Sequence, residues 1–185
     1  MEINANQRAA QSAAPGREDL EQRVRVFLRD AAGFAQVYTI NLAGYPVGRT
    51  MGAPVDEDFT VCLVQRKVHK RIGQWRRNPR TEVVWVGTPA PGSRNDNPHV
   101  YDFNLLAPRV VFIRGDAEFV DADTTWAMYQ KQSALHRARG WTRAPQRTAA
   151  NVAEELIGVR IRPLQIRVEG FGNGPESFTW QPGRD

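Results

Sequence analysis

Between Phe34 and Gln65 three β-rich segments follow one another with only turns between them, and this constrains the fold more than any other feature of the chain. Phe34–Ile40 (FAQVYTI) is rich in aromatic and β-branched residues. Asn41 to Pro46 (NLAGYP) supplies turn chemistry, and Val47–Ala53 (VGRTMGA) reads as a second strand loosened by Gly48 and Gly52. After the polar turn Asp56-Glu57-Asp58, Phe59–Gln65 (FTVCLVQ) is a third. These are the marks of a meander. With 185 residues, of which 41% are hydrophobic, the chain can build one domain around a single core.

The flanking pattern extends this reading. Leu20, Val24, Phe27, Leu28 and Ala31 form one stripe, predicting a helix over Arg17–Ala32 that stops at Gly33. Val68, Ile72 and Trp75 predict a helix that ends before Pro79, and Thr81–Val86 (TEVVWV) is a fourth strand. Residues 88–106 make a long Pro/Gly/Asn-containing connection, expected to be an insertion or lid. Arg109–Val120 is a fifth strand with a bulge expected at Gly115. Asp121 or Asp123 can cap a helix running to Arg139, Trp141–Ala150 reads as a loop, and Ile157–Val168 is the sixth strand. Phe171, Phe178 and Trp180 in the Gly/Pro-rich C-terminal segment are aromatics expected to dock. Six strands and a few helices predict an α+β domain with a closed or nearly closed antiparallel barrel. The expected division is a flexible leader (1–17), the domain (18–171) and a C-terminal tail (172–185).

Several classes are disfavoured. A lone cysteine, Cys62, allows no internal disulfide and reads as a buried, inert strand residue. His69, His99 and His136 are too dispersed for a short zinc motif, so no metal site is expected. No run approaches the roughly 18 apolar residues of a membrane span. The first residues lack the basic start and apolar core of a signal peptide, and a cytoplasmic setting is expected.

The formal charge is +5, but it is not spread evenly. Thr60–Arg80 holds seven cations (Arg66, Lys67, Lys70, Arg71, Arg76, Arg77, Arg80) and no acid, leaving a net −2 on the rest of the chain. Cations at a helix start are mildly unfavourable, because its free N–H groups already carry positive partial charge. An anion among them would offset this, and a phosphate monoester is the natural candidate. A solvated basic face or a polyanion-binding patch is the alternative reading of the same run. Nucleic acid would want aromatic platforms beside the basic run, and only Trp75 lies there, on the helix's apolar stripe.

The order and spacing of four motifs resemble the pyridoxamine 5′-phosphate oxidase-like, flavin-binding split-barrel family. They are Gly44-Tyr45-Pro46-Val47-Gly48-Arg49, His69 to Arg80 (HKRIGQWRRNPR) with Val83-Val84-Trp85, Arg109 to Ala117 (RVVFIRGDA), and Arg162 to Arg167 (RPLQIR). The resemblance covers roughly residues 20 to 171 and implies a six-stranded antiparallel split β-barrel with flanking helices. It implies FMN as cofactor, with a phosphate held by His69, Lys70 and Arg71, where the family reads Ser-Arg-Lys, and reached by Arg49. Thr50, Met51 and Gly52 are expected along the isoalloxazine, and Gln65 at the flavin or its side chain. Trp85 is expected to reach the site from a partner subunit, because members are homodimers with two interfacial sites.

Such proteins pass hydride between flavin and a small organic substrate, so no dedicated acid or base is obligatory. His99 and Asn95-Asp96-Asn97 could line a substrate mouth or belong to a surface loop. The chain ends GPESFTWQPGRD, without the C-terminal substrate block of true pyridoxamine-phosphate oxidases, so vitamin B6 oxidation is not expected. The alternatives on the same barrel are a deazaflavin-coenzyme-dependent reductase and a non-catalytic flavin or haem carrier.

Overall fold

The computed structural model describes residues 16–31, 33–92, 106–138, 140, 146–172 and 176–183. Most of the leader, the stretch with His99 and Asn95–Asn97, and Trp141 lie outside the described residues.

Helix α1 (Arg17–Val26) buries Leu20 and Val24, carries Glu18 and Asp19 in its first turn, and passes into a single π-helical turn, Phe27–Ala31. The sequence predicts one continuous α-helix here. Instead the wider turn delivers Phe27 into the core, edge-on to Phe171 at 5.4 Å and under the Arg109 guanidinium. The ring lies against Gly87, where an added Cβ would stand 2.4 Å from it.

Among the described residues seven strands follow: β1 (Ala35–Ile40), β2 (Pro46–Met51), β3 (Val61–Arg66), β4 (Arg80–Val86), β5 (Val110–Phe119), β6 (Leu156–Glu169) and β7 (Ser177–Trp180). Between them lie α2 (Lys70–Arg77), α3 (Ala122–Ala138) and α4 (Ala149–Glu155). The pairing is antiparallel throughout, in the order β2-β1-β4-β5-β6-β3, with β7 on the same edge of β6 as β3. No backbone ladder joins β2 to β3, so the barrel is split between them. Inward positions alternate as the strand period demands: Ala35, Val37 and Thr39 on β1, and Thr81, Val83 and Trp85 on β4. The apolar ones among them meet Leu63, Ile113, Ile161 and Ile166 in one core.

The bulge expected at Gly115 is present as a register shift between Arg114 and Gly115. Asp121 is the acid that caps α3, its carboxylate accepting the Thr124 N–H at 2.7 Å, and this bond holds its pKa below the ordinary carboxylate value. Two elements escape the sequence reading. Helix α4 begins on the last two residues of the expected loop and runs through a stretch to which the sequence assigns no element; it is capped by Thr148, whose hydroxyl accepts from Asn151 N–H. Strand β7 forms from the tail, where Trp180 is buried against Phe59 and Phe178 packs on the core.

Gly115 is the tightest point of the barrel wall: a Cβ there would lie 2.0 Å from the Arg162 carbonyl oxygen. Gly115→Ala is expected to destabilise the protein by roughly 2 kcal/mol or more, since the obstacle is backbone. An unchanged urea midpoint would show that the two strands do not approach this closely.

Candidate functional site

Strand alternation decides which predicted residues meet. On β2, Val47, Arg49 and Met51 are half-buried while Gly48 and Thr50 are exposed. Arg49 therefore turns toward the barrel, and its Nη1 donates to Gln74 Oε1 at 3.3 Å and Thr39 Oγ1 at 3.4 Å. Thr50 turns the opposite way and takes a hydrogen bond from Gln36 on the outer sheet face.

Helix α2 starts at His69, whose backbone is extended and whose side chain makes no capping bond. That side chain instead offers Nδ1 to Arg71 Nη2 at 3.1 Å, which requires the ring proton on Nε2. Arg71 Nη1 points at the Met51 thioether, 3.4 Å away, and Arg71 Nε is buried without a partner among the described residues. Lys70 lies exposed at the first helical position. Burial, then the neighbouring Arg49 charge, pushes the Arg71 pKa down. Burial, then Arg71, Arg66 and Arg49, does the same to His69. Most arginines outside this region have acids: Arg17 and Arg25 pair with Glu21, Arg114 with Glu82, Arg147 with Glu155, and Arg162 with Glu118. Arg49 and Arg71 have none among the described residues, and their bonding partners are neutral. That arrangement is costly for a free protein and suited to an anion.

Met51 also borders a second feature. A cleft of about 560 Å³ runs past Met51, Gly52, Gln65 and the edge of Trp85. Its walls are Leu28, Phe34, Phe59 and Val64, with Lys131, Gln132, Leu135 and His136 of α3 opposite. Gln65 Nε2 is 3.7 Å from Met51 Sδ, so one thioether is approached by donors from both the basic cluster and the cleft. Above Gly52 there is open space, leaving its backbone accessible to a ligand. Phe59 bears a positive φ of 63°, a strained value for a bulky residue, fixed by its N–H to the Asp56 carbonyl and by burial.

The structure thus brings Arg49, His69 and Arg71 into one cluster, and Met51, Gly52, Gln65 and Trp85 along one cleft. Thr50 and Lys70 join neither in this chain. Trp85 is 2% exposed and packed in its own core, where its edge borders the cleft of the same chain. Its place on the inward row of β4 is the reason.

Sequence reasoning missed the far wall. Asp56 takes a hydrogen bond from the Cys62 thiol at 3.3 Å and is ion-paired with Lys131. Burial works to raise the Asp56 pKa, but Lys131 and Cys62 outweigh it and hold it below its ordinary value. Burial and the adjacent carboxylate push the Cys62 thiol up to about 12, so it stays protonated. These contacts join residues up to 75 positions apart, and no local pattern announces them. Among the described residues no group of His, Cys, Asp and Glu is placed to hold a metal ion.

An open antiparallel barrel whose split is flanked by a basic cluster and a cleft defines the class. The chain has the pyridoxamine 5′-phosphate oxidase-like split-barrel fold. No family model and no curated protein matches the sequence. Among solved structures, a haem-binding protein from Mycobacterium smegmatis is similar with a TM-score of 0.61 and 15% identity, over 91% of this chain and 60% of that one. A Clostridium acetobutylicum protein related to general stress protein 26, of the pyridoxinephosphate oxidase family, gives 0.55 and 11%, over 88% and 96% of the two chains. An F420 reductase gives 0.52 and 18%, over 76% and 94%.

The depressed His69 pKa has a measurable sign. Below its ordinary value of 6.5 the unfolded chain binds the proton more readily than the folded one. The His69 contribution to stability is therefore complete above that pH and is lost as pH falls through the folded-state value. His69→Gln is expected to flatten the fall in free-protein stability as pH drops below 6.5, measured as urea midpoints. An identical slope in the variant would remove His69 from the cluster's electrostatics.

Proposed function

We propose that this protein is an FMN-dependent oxidoreductase that passes hydride between the flavin and a small organic substrate. What carries the reading is the pair Arg49 and Arg71. Both are held only by neutral acceptors, one Arg71 nitrogen is buried and unpartnered, and the pair abuts the cleft through Met51. An anionic phosphate fits that donor set, and the orphaned Nε is the donor it would satisfy. His69 completes the cluster, with Lys70 exposed at its rim.

In this reading Arg49, Arg71 and His69 hold the phosphate, and Met51, Gly52 and Gln65 flank the ring system. When bound, flavin supplies the hydride-accepting and hydride-donating chemistry. The protein's residues do the rest: the guanidiniums fix one end of the cofactor, and the apolar walls Leu28, Phe59 and Val64 keep water from its flank. Asp56 and Lys131 remain an ion pair and offer no proton of neutral pKa, which fits chemistry that needs no dedicated acid or base.

The working unit in this proposal is a homodimer in the cytoplasm. Phe34, 73% exposed on the cleft wall, and Val86, at 62%, are apolar surfaces that a second copy would cover. No helix among the described residues is long and apolar enough to cross a membrane. A deazaflavin coenzyme is the second reading. Exposed Arg66, Lys70 and Arg77 beyond the cluster are unpaired among the described residues, and would suit its polyanionic tail.

The test is the visible spectrum of the purified protein before and after adding FMN, deazaflavin coenzyme or haem. FMN uptake that falls at least about tenfold in Arg71→Met supports the main reading. The same variant is expected to melt about 2–4 °C higher without ligand, because it removes a buried, uncompensated cation. Uptake of deazaflavin or haem in place of FMN transfers the assignment to that cofactor. Binding of none of them, with salt-sensitive binding to DNA instead, would sink the redox reading.

A further inference from the structure

Behind Arg49 lies a polar arrangement that the barrel does not need for packing. Thr39 occupies the inward row of β1 after Ala35 and Val37 and is 1% exposed. Gln74 sits on the buried side of α2 near Ile72 and Trp75 and is 8% exposed. Valine and leucine would fill these places without the cost of burying a hydroxyl and an amide. The two polar groups meet: Thr39 Oγ1 donates to Gln74 Oε1 at 2.7 Å. That oxygen and the Thr39 hydroxyl then both face Arg49 Nη1, at 3.3 and 3.4 Å. Arg49 is thus tethered through one nitrogen, and Nε and Nη2 have no partner among the described residues.

The tether is neutral. A carboxylate at position 74 would hold the guanidinium more strongly but would cancel its charge. An apolar side chain would leave the charge intact and the direction unset. An uncharged acceptor does both jobs: it orients the cation and leaves it uncompensated for an anion. We propose that Gln74, supported by Thr39, is a positioning residue that aims Arg49 at the anion and preserves its charge. The inference rests on the phosphate role given to Arg49 above and extends it to residues that touch no ligand.

The experiment compares FMN and riboflavin, which lacks the phosphate, by flavin fluorescence on the full chain, with pyrophosphate as a second probe. The proteins are wild type, Gln74→Glu, Gln74→Leu with Thr39→Val, Arg49→Ala, and Arg49→Ala with Gln74→Glu. Gln74→Glu is expected to weaken FMN by on the order of tenfold or more, leave riboflavin unchanged, and melt no lower than wild type. The doubly apolar variant is expected to keep its fold and lose part of the FMN preference over riboflavin. Adding Gln74→Glu to Arg49→Ala is expected to cost little more than Arg49→Ala alone, because the two act through one group. Wild-type FMN affinity in Gln74→Glu, or equal losses for FMN and riboflavin, would overturn the positioning role alone. A wild-type protein that takes up neither FMN nor pyrophosphate would overturn the phosphate reading and this role with it.

Discussion

Strand β6 is the member on which the other strands depend. Of its 14 residues, Val159–Glu169 run along β5 on one edge, while the other edge serves β3 over Leu156–Ile161 and β7 over Ile166–Glu169. A one-residue slip would turn Val159, Ile161, Ile166 and Val168 out of the core together, so the register is held as a unit. The bulge opposite Gly115 sets Leu164 outside the ladder, and Pro163 falls in the gap between β3 and β7. Those are places where a missing N–H is tolerated. β3 spends one edge on β6, and no ladder joins its other edge to β2, so the barrel stays split there.

Across that split the connection is a thioether. Met51 receives N–H groups from Arg71 and Gln65, and a sulfur is a weak acceptor for both. A stronger acceptor would close the gap at the expense of the charge that makes it useful. The neutral Nδ1 of His69 and the amide oxygen of Gln74 follow the same logic. The molecule fixes two guanidiniums in place and withholds a counterion from each, at some cost to its own stability.

The sequence reveals the six long strands, the Gly115 bulge and the Asp121 cap because each is carried by local pattern: strand period, a glycine with no room for Cβ, an acid ahead of a helix. It does not reveal the π-helical turn, because Phe27 is drawn there by Phe171 and Gly87, which are remote in sequence. Strand β7 escapes for a similar reason: four residues with turn-like neighbours become a strand only beside β6. The charge map was legible as a count but not as a geometry. Of the seven cations in Thr60–Arg80 only Arg71 turns inward, and its companion Arg49 comes from outside the window. An aromatic in a short strand can face either way, and the alternation of β4 places Trp85 inside.

The two sides of the cleft differ in a way that bears on how anything long could lie in it. On the α1 and α3 side every charge with a described pairing is compensated: Arg25 with Glu21, Arg29 with Asp30, and Lys131 with Asp56. Beyond Met51 the charges of Arg49 and Arg71 have no acid among the described residues. A molecule with one anionic end therefore gains at one end of this site and only loses hydration at the other. In the proposed reading, the direction of a bound ligand is thereby set before any contact with its middle is made. It also fits the placing of acids near Asp56 and, among the described residues, of no acid paired with Arg71: carboxylates at both ends would leave no gradient, and none at either would leave Lys131 competing for the same anion.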